Sequence, residues 1–207
     1  MLSRFPALAA VLIFTLVGFS ACATTPPARF YTLSSLAAPA GGEAVSATQT
    51  RQVVGIGPIA LAQYLDHPAI TTRSGNNTLV RSEFDRWGGT LADEISRVLV
   101  ENMATLLPGE RFLVLPWLET AAIDYRMQLH ITRFEAERQQ AVILSAAWLL
   151  FDREGRMPLA SGDIALCEPV RAEGYGEVAA AMSRALAELS RQIAAAIGDA
   201  ADSAAGR

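Results

Sequence analysis

A chain of 207 residues carrying 17 Arg, no Lys and 21 acids has a net charge of −4. Such a composition builds no basic face for nucleic acid or an anionic lipid surface. Apolar residues make up 51% of the chain, enough for the core of one domain of ordinary size. The exclusive use of Arg reads as the codon bias of a GC-rich genome more than as function.

The first elements in chain order are a secretion signal and an anchor. Arg4 supplies a positive start, Ala7 to Phe19 is an uncharged apolar run of 13 residues, and Ser20 and Ala21 lead into Cys22. A spanning helix needs about 20 apolar residues, so this shorter run fits a signal peptide. Gly18-Phe19-Ser20-Ala21-Cys22 resembles the lipobox of bacterial lipoproteins, with Phe19 where an aliphatic residue is usual. That resemblance implies cleavage between Ala21 and Cys22, and fatty acyl chains such as palmitate on Cys22. The rival reading, an ordinary secretory signal with a cysteine nearby, treats the small pair directly before Cys22 as chance. A single short acyl chain binds a membrane marginally, and two or three hold it firmly. Ala23, not Asp, follows the cysteine; by the same resemblance the destination is the outer membrane, facing the periplasm. With Cys22 lipidated only Cys167 is left, which excludes an internal disulfide and a cysteine metal site. Cys167 falls in a strand-like run and reads as a small buried hydrophobe.

The signal occupies residues 1–21, and residues 22–28 form a lipidated N-terminus and tether. A single domain spans 29–197, and 198–207 reads as a flexible tail. Arg29 to Leu33 is a first strand. Residues 34–50, rich in Ala, Ser, Gly and Thr, carry no periodicity and read as a mobile loop. Arg51 to Gly57 is a second strand, and Pro58 to Pro68 is rich in turns. Ala69 to Arg73 and Thr78 to Arg81 flank Ser74-Gly75-Asn76-Asn77, a hairpin signal because Gly and Asn tolerate positive φ.

Leu91, Ile95, Val98, Leu99, Asn102 and Leu106 share one face of a helix over about 89–107, stopped by Pro108-Gly109. Arg111 to Leu115 is a strand. In 124–132 apolar and polar residues alternate, and Phe134 breaks the parity, which predicts a bulge. Residues 141–151, apolar but for Ser145, read as a central strand covered on both faces. A last strand runs from Leu159 to Pro169. Val178, Met182, Ala185, Leu186, Leu189, Ile193 and Ile197 then form one face of a C-terminal helix. The expected fold class is α+β: a largely antiparallel sheet of about seven strands with two main helices packed on one face.

Chemistry is sparse in this pattern. Gly55-Ile56-Gly57-Pro58-Ile59-Ala60 has the glycine spacing of a dinucleotide fingerprint. Pro68 cuts short any following helix, and the acid needed about 20 residues on is absent. The glycines are better read as allowing a tight strand exit. His67 and His130 lack the paired spacing of a zinc site, and neither neighbours a serine in a hydrolase motif. Asp85 and Glu83 have no evident partner in sequence. We therefore expect no catalytic residue, no metal, no cofactor and no enzyme activity. Apolar side chains in turn-like segments, Tyr64, Leu65 and Trp87, are the candidate partner contacts, with core packing under the sheet edge as the alternative.

Several phrases, taken in order, are similar to one family. Arg29-Phe30-Tyr31-Thr32-Leu33 soon after a lipobox resembles the opening of the ABC-type transport auxiliary lipoproteins, the PqiC-like family. So do Val54-Gly55-Ile56-Gly57-Pro58-Ile59, Tyr64-Leu65-Asp66-His67-Pro68-Ala69-Ile70 and Glu83-Phe84-Asp85-Arg86-Trp87. Val114-Leu115-Pro116-Trp117 and Tyr125-Arg126-Met127-Gln128-Leu129 extend the series. His67 stands where members often carry Arg. The resemblance implies a non-enzymatic lipid-transport component that docks a PqiB-like, periplasm-spanning MCE-domain protein from beneath the outer membrane. It leaves self-association open and implies no nucleic acid partner. Two other classes stay open: a lipoprotein that itself holds a lipid or small hydrophobic ligand between helix and sheet, and a periplasmic hydrolase.

Overall fold

The computed structural model describes residues 26–37, 52–115, 123–156 and 158–205. The signal, Ala21, Cys22 and Pro116-Trp117 lie outside the described residues. The elements in chain order are β1 (Arg29–Tyr31), β2 (Val53–Leu61), β3 (Ala69–Gly75), β4 (Thr78–Trp87) and α1 (Leu91–Leu106), then β5 (Arg111–Val114), β6 (Tyr125–Glu137), β7 (Ala141–Asp152), β8 (Pro158–Pro169) and α2 (Tyr175–Ala205). A single 3-10 turn, Gln63–Leu65, separates β2 from β3.

The fold is α+β, but the sheet is mixed, with eight strands among the described residues. The pairs β3–β4, β6–β7 and β7–β8 are antiparallel. The pairs β1–β4, β2–β5, β2–β6 and β3–β6 are parallel. The expectation of a largely antiparallel sheet holds in part, and the parallel pairs have a local reason. β2 and β3 lie end to end along one edge of β6, because the 3-10 turn carries the chain forward and does not reverse it. Alternation of apolar residues reports which face of a strand is wet; it does not report which neighbour the strand pairs with.

Along β6 the alternation behaves as read. Tyr125, Met127, Leu129 and Ile131 point inward, while Arg126, Gln128 and His130 are exposed. Ile131 pairs with Ala146 and Arg133 with Ser145, so Thr132 is the extra residue of a bulge. Beyond it the parity is inverted and Phe134 and Ala136 enter the core. β7 lies between β6 and β8, yet it is not covered on both faces. Val142, Leu144, Ala146, Trp148 and Leu150 are buried, whereas Leu149 on the opposite face is 37% exposed. Cys167 is likewise exposed and not buried, because β8 is an edge strand and its Asp163, Ala165 and Cys167 share the outer face.

Both helices and the inner face of the sheet contribute to one core. Thr90 caps α1 by accepting from the Asp93 amide at 3.1 Å, and Asp93 and Glu94 sit in its positive first turn. At 31 residues, α2 is roughly 46 Å long. It continues to Ala205, through positions read as the start of a tail, because the segment is rich in Ala, the strongest helix former. Trp148 packs over Gly162 of the paired strand, where a Cβ would meet the indole at 2.7 Å. That contact explains a glycine in the middle of β8.

The fingerprint-like glycines serve packing too. β2 does not exit at Gly57; it continues through a cis Gly57–Pro58 peptide to Leu61. Gly57 has φ +129, and a Cβ there would lie 2.8 Å from the Leu115 carbonyl oxygen. Glycine is required both by that backbone conformation and by the approach of the chain leaving β5.

Candidate functional site

The described chain enters the domain through β1 and the irregular segment after it, and both are tied down by side chains. Asp85 of β4 is buried (3% exposed) and is the centre of the first tie. Its carboxylate accepts from Arg29 Nε at 2.8 Å, Arg29 Nη2 at 3.1 Å, Tyr31 Oη at 2.9 Å and Ser82 Oγ at 2.7 Å. Burial alone would raise the pKa of this carboxyl. The hydrogen bonds from Arg29, Ser82 and Tyr31 outweigh burial and hold it below the usual carboxylate range. The phrases Arg29-Phe30-Tyr31 and Glu83-Phe84-Asp85-Arg86-Trp87, far apart in sequence, are thus two halves of one clamp. Asp85, which has no partner visible in the sequence, has three in space.

The next residues thread between the helices. The Leu33 amide donates to Glu94 Oε2 at 2.9 Å, and its carbonyl accepts from Arg97 at 2.6 Å. The Ser34 amide donates to Ser183 Oγ at 2.9 Å, and the Leu36 amide to Asn102 Oδ1 at 2.7 Å. Asn102 donates in turn to Ser190 Oγ at 2.9 Å, a fully buried bond between α1 and α2. An Asn on the apolar face of α1 is therefore the bracket that receives this strap. Residues 34–37, expected as the start of a mobile loop, are held in place because α1 and α2 supply the partners that their backbone lacks. The remainder of that predicted loop lies outside the described residues.

A second buried carboxylate organises the junction of β2, β3 and β6. Glu135 is 0% exposed. It accepts from Tyr64 Oη at 2.7 Å, Arg73 Nε at 2.9 Å, Arg133 Nε at 3.0 Å and the Phe134 amide at 3.0 Å. The Arg73 guanidinium also lies over the Tyr64 ring, 5.9 Å from its centroid. Burial pushes Glu135 up, and the bonds from Tyr64, Arg73 and Arg133 pull it down, with a net lowering. Tyr64 is pushed up to about 12, first by burial and then by its bond to Glu135. The sequence carries one trace of this site: Glu135 directly follows the residue at which the alternation of β6 breaks.

The expected contact residues fare unequally. Leu65 and Trp87 are core residues at 3% and 4% exposure, and neither side chain presents a surface. Trp87 is the last residue of β4, not part of a loop, and its side chain belongs to the core. Tyr64 is half-buried, with its hydroxyl engaged by Glu135. His67 is exposed, and its Nδ1 accepts from the Ala69 amide at 3.0 Å. His130 is exposed on the outer face as expected. Among the described residues, no group of three or more His, Cys, Asp or Glu is placed to hold a metal ion. No described helix is long and apolar enough to cross a membrane. Large apolar side chains that do reach solvent are Phe30, Leu79, Val80, Leu149 and Leu159.

The model of the family described as the ABC-type transport auxiliary lipoprotein component matches residues 31–194. The chain belongs to this family. The match starts at Tyr31 in β1 and ends in α2, so in this auxiliary lipoprotein it takes in Asp85, Tyr31 and the segment 33–36 but not Arg29. No curated protein matches the chain significantly. Among solved structures it is similar to a Xanthomonas campestris protein of the DUF330 family, at 17% identity and a TM-score of 0.68 over 87% of this chain and 100% of the other. A structure described only as an uncharacterised protein is 19% identical, with a TM-score of 0.68 over 83% of this chain and 99% of its own. At these identities the likeness is one of fold.

Proposed function

We propose that this auxiliary lipoprotein is a docking module of a lipid-transport machine, held at the periplasmic face of the outer membrane by acyl chains on Cys22. Its partner is a PqiB-like, MCE-domain protein that spans the periplasm, and the domain receives the distal end of that assembly without chemistry of its own. The observation that carries the reading is membership of a transport auxiliary family, coupled to a domain whose first strand and following strap are bolted to its core. A module built this way transmits the position of its anchor to its binding surface. It also raises its own local concentration at the membrane. The contact surface fits the outer sheet face around Leu149 better than Leu65 or Trp87, whose side chains are in the core. Expressed together and extracted in mild detergent, the lipoprotein and the MCE-domain protein encoded with it should co-purify. Separation of the two during purification, with both present in the extract, counts heavily against docking.

One feature favours a second reading, in which the domain itself holds a hydrophobic ligand. An open cavity of about 1000 Å³ lies between α2 and the β7–β8 hairpin, lined by Tyr125, Trp148, Leu159, Ala160, Ala195 and Ala196 among others. Its size suits a small ligand, and the apolar side chains share the wall with Gln52, Asp124, Asp152, Arg153, Gln192 and Asp199. Native mass spectrometry of the detergent-extracted protein should then show a phospholipid-sized adduct that a Leu159→Arg change removes. A bare protein mass in every gentle preparation rejects this reading.

A further inference from the structure

At one end of the domain an open cleft of about 980 Å³ is lined by Thr72, Arg73 and Ser74, by the turn Arg138-Gln139-Gln140, and by Val170 to Tyr175. Three arginines, Arg73, Arg138 and Arg171, face a single acid, Glu173, in a protein whose overall charge is negative. Arg73 is engaged by Glu135. Arg138 and Arg171 have neither an ion pair nor a side-chain hydrogen bond among the described residues. Most other described arginines are paired with a carboxylate, Arg29, Arg97, Arg133, Arg153 and Arg184 among them. Composition alone offered no basic face; the fold gathers a local one.

The turn that presents Arg138 is strained. Arg138 and Gln139 have φ of 49° and 55°, where Gly or Asn is the usual choice. Residues suited to the turn itself were not selected at the rim of this cleft. The first turn of α2 also opens here, at Gly174-Tyr175, and carries the acid Glu177.

The tether heads the same way. β1 runs parallel to β4, with Arg29 beside Asp85 and Tyr31 beside Trp87. The chain before Arg29 therefore points toward the Thr78 end of β4. That end carries the β3–β4 hairpin. It also carries the β6–β7 turn, since Arg73 pairs with Glu137, and the start of the β8–α2 loop, since the Val170 amide donates to the Gln140 carbonyl at 2.8 Å. From Cys22 to Arg29 the chain reaches about 25 Å at most. A bilayer holding Cys22 is thus kept close to the arginine-lined end.

We infer that this cleft binds a phosphate group, with the guanidinium forks of Arg138 and Arg171 donating to its oxygens. A headgroup of the anchoring membrane is one source and free phosphate the other. Only the orientation toward the membrane rests on the reading of Cys22. The test is arginine modification by phenylglyoxal, read peptide by peptide, on the mature protein. It is reconstituted in phosphatidylcholine vesicles, or in vesicles of equal parts phosphatidylcholine and phosphatidylglycerol. Phosphatidylglycerol should slow modification of Arg138 and Arg171 about fivefold and leave Arg126, at the opposite end of β6, unchanged. Protection by inorganic phosphate in detergent, without lipid, identifies the free anion as a ligand. Protection by phosphatidylglycerol alone identifies the headgroup. Equal rates under all conditions, or equal slowing at Arg126, overturn the inference. Intact mass on the same sample reports whether Cys22 is acylated, so a failed anchor and a failed cleft are told apart.

Discussion

Arg73→Met should lower the stability of the domain by about 3 kcal/mol at neutral pH, read as a fall in the urea midpoint. Arg73 is one of two guanidinium groups on a carboxylate that has no access to water. Desolvating Glu135 is costly, and the structure tolerates it because every lone pair is occupied. With Arg73 gone, Arg133 and Tyr64 remain, which places the cost at the low end for breaking a buried pair. Adding Glu135→Gln to Arg73→Met should recover part of the loss, with a coupling of about 2 kcal/mol between the sites. Simple additivity would show that Arg133 and Tyr64 suffice.

The pH dependence has a definite sign. The folded carboxyl of Glu135 is lowered, so the unfolded chain takes up its proton first as pH falls. The stabilisation is complete above the unfolded value of about 4.3 and fades as pH drops through the lower folded one. In Arg73→Met this acid-side loss should be smaller. Tyr64 acts at the other extreme. Raised to about 12, it favours the folded state below pH 10 or so, and that contribution disappears as pH rises toward 12.

Asp85→Ala should cost about 2–4 kcal/mol and loosen the tether root before the rest of the domain. The change removes the shared acceptor of Tyr31, Ser82 and Arg29. β1 has only three residues and is an edge strand, so little else holds it to β4. The Gly88 amide still donates to the Tyr31 carbonyl at 2.8 Å, and the strap beyond still binds α1 and α2. Hydrogen exchange should therefore quicken first at residues 29–31, with 33–36 following and the β6–β7 ladder unchanged. Uniform acceleration across the sheet would mean that Asp85 supports the whole core and not the root. In the docking reading, a loosened root leaves the protein anchored but weakens its hold on a partner at a fixed height above the membrane.

Elements whose signal is local were readable in the chain. The helical spacing of Leu91, Ile95, Val98 and Leu99 and the stop at Pro108-Gly109 locate α1 to within two residues. The alternation of β6 and its break at Phe134 announce the bulge at Thr132. Asn102, set among apolar neighbours, was visible as an anomaly, but its meaning was not. Its partners Leu36 and Ser190 lie 66 and 88 residues away. The same distance in sequence hid Asp85 from Arg29 and Glu135 from Arg73. The burial of Trp87 and Leu65 was not legible, because a turn-like composition does not tell which way a large apolar side chain points.

By itself the sequence determined the α+β class, the positions of its helices and longer strands, the family to which the chain belongs, and the lipobox-like phrase ending in Cys22. These follow from spacing and residue type within short windows, where the chain carries its own periodicity. Only the tertiary structure decided the mixed sheet, the exposure of Cys167, the two buried carboxylate clusters and the arginine-lined cleft. Each of these depends on which distant segments pack side by side, and burial or charge at a point in space is the sum of everything that arrives there.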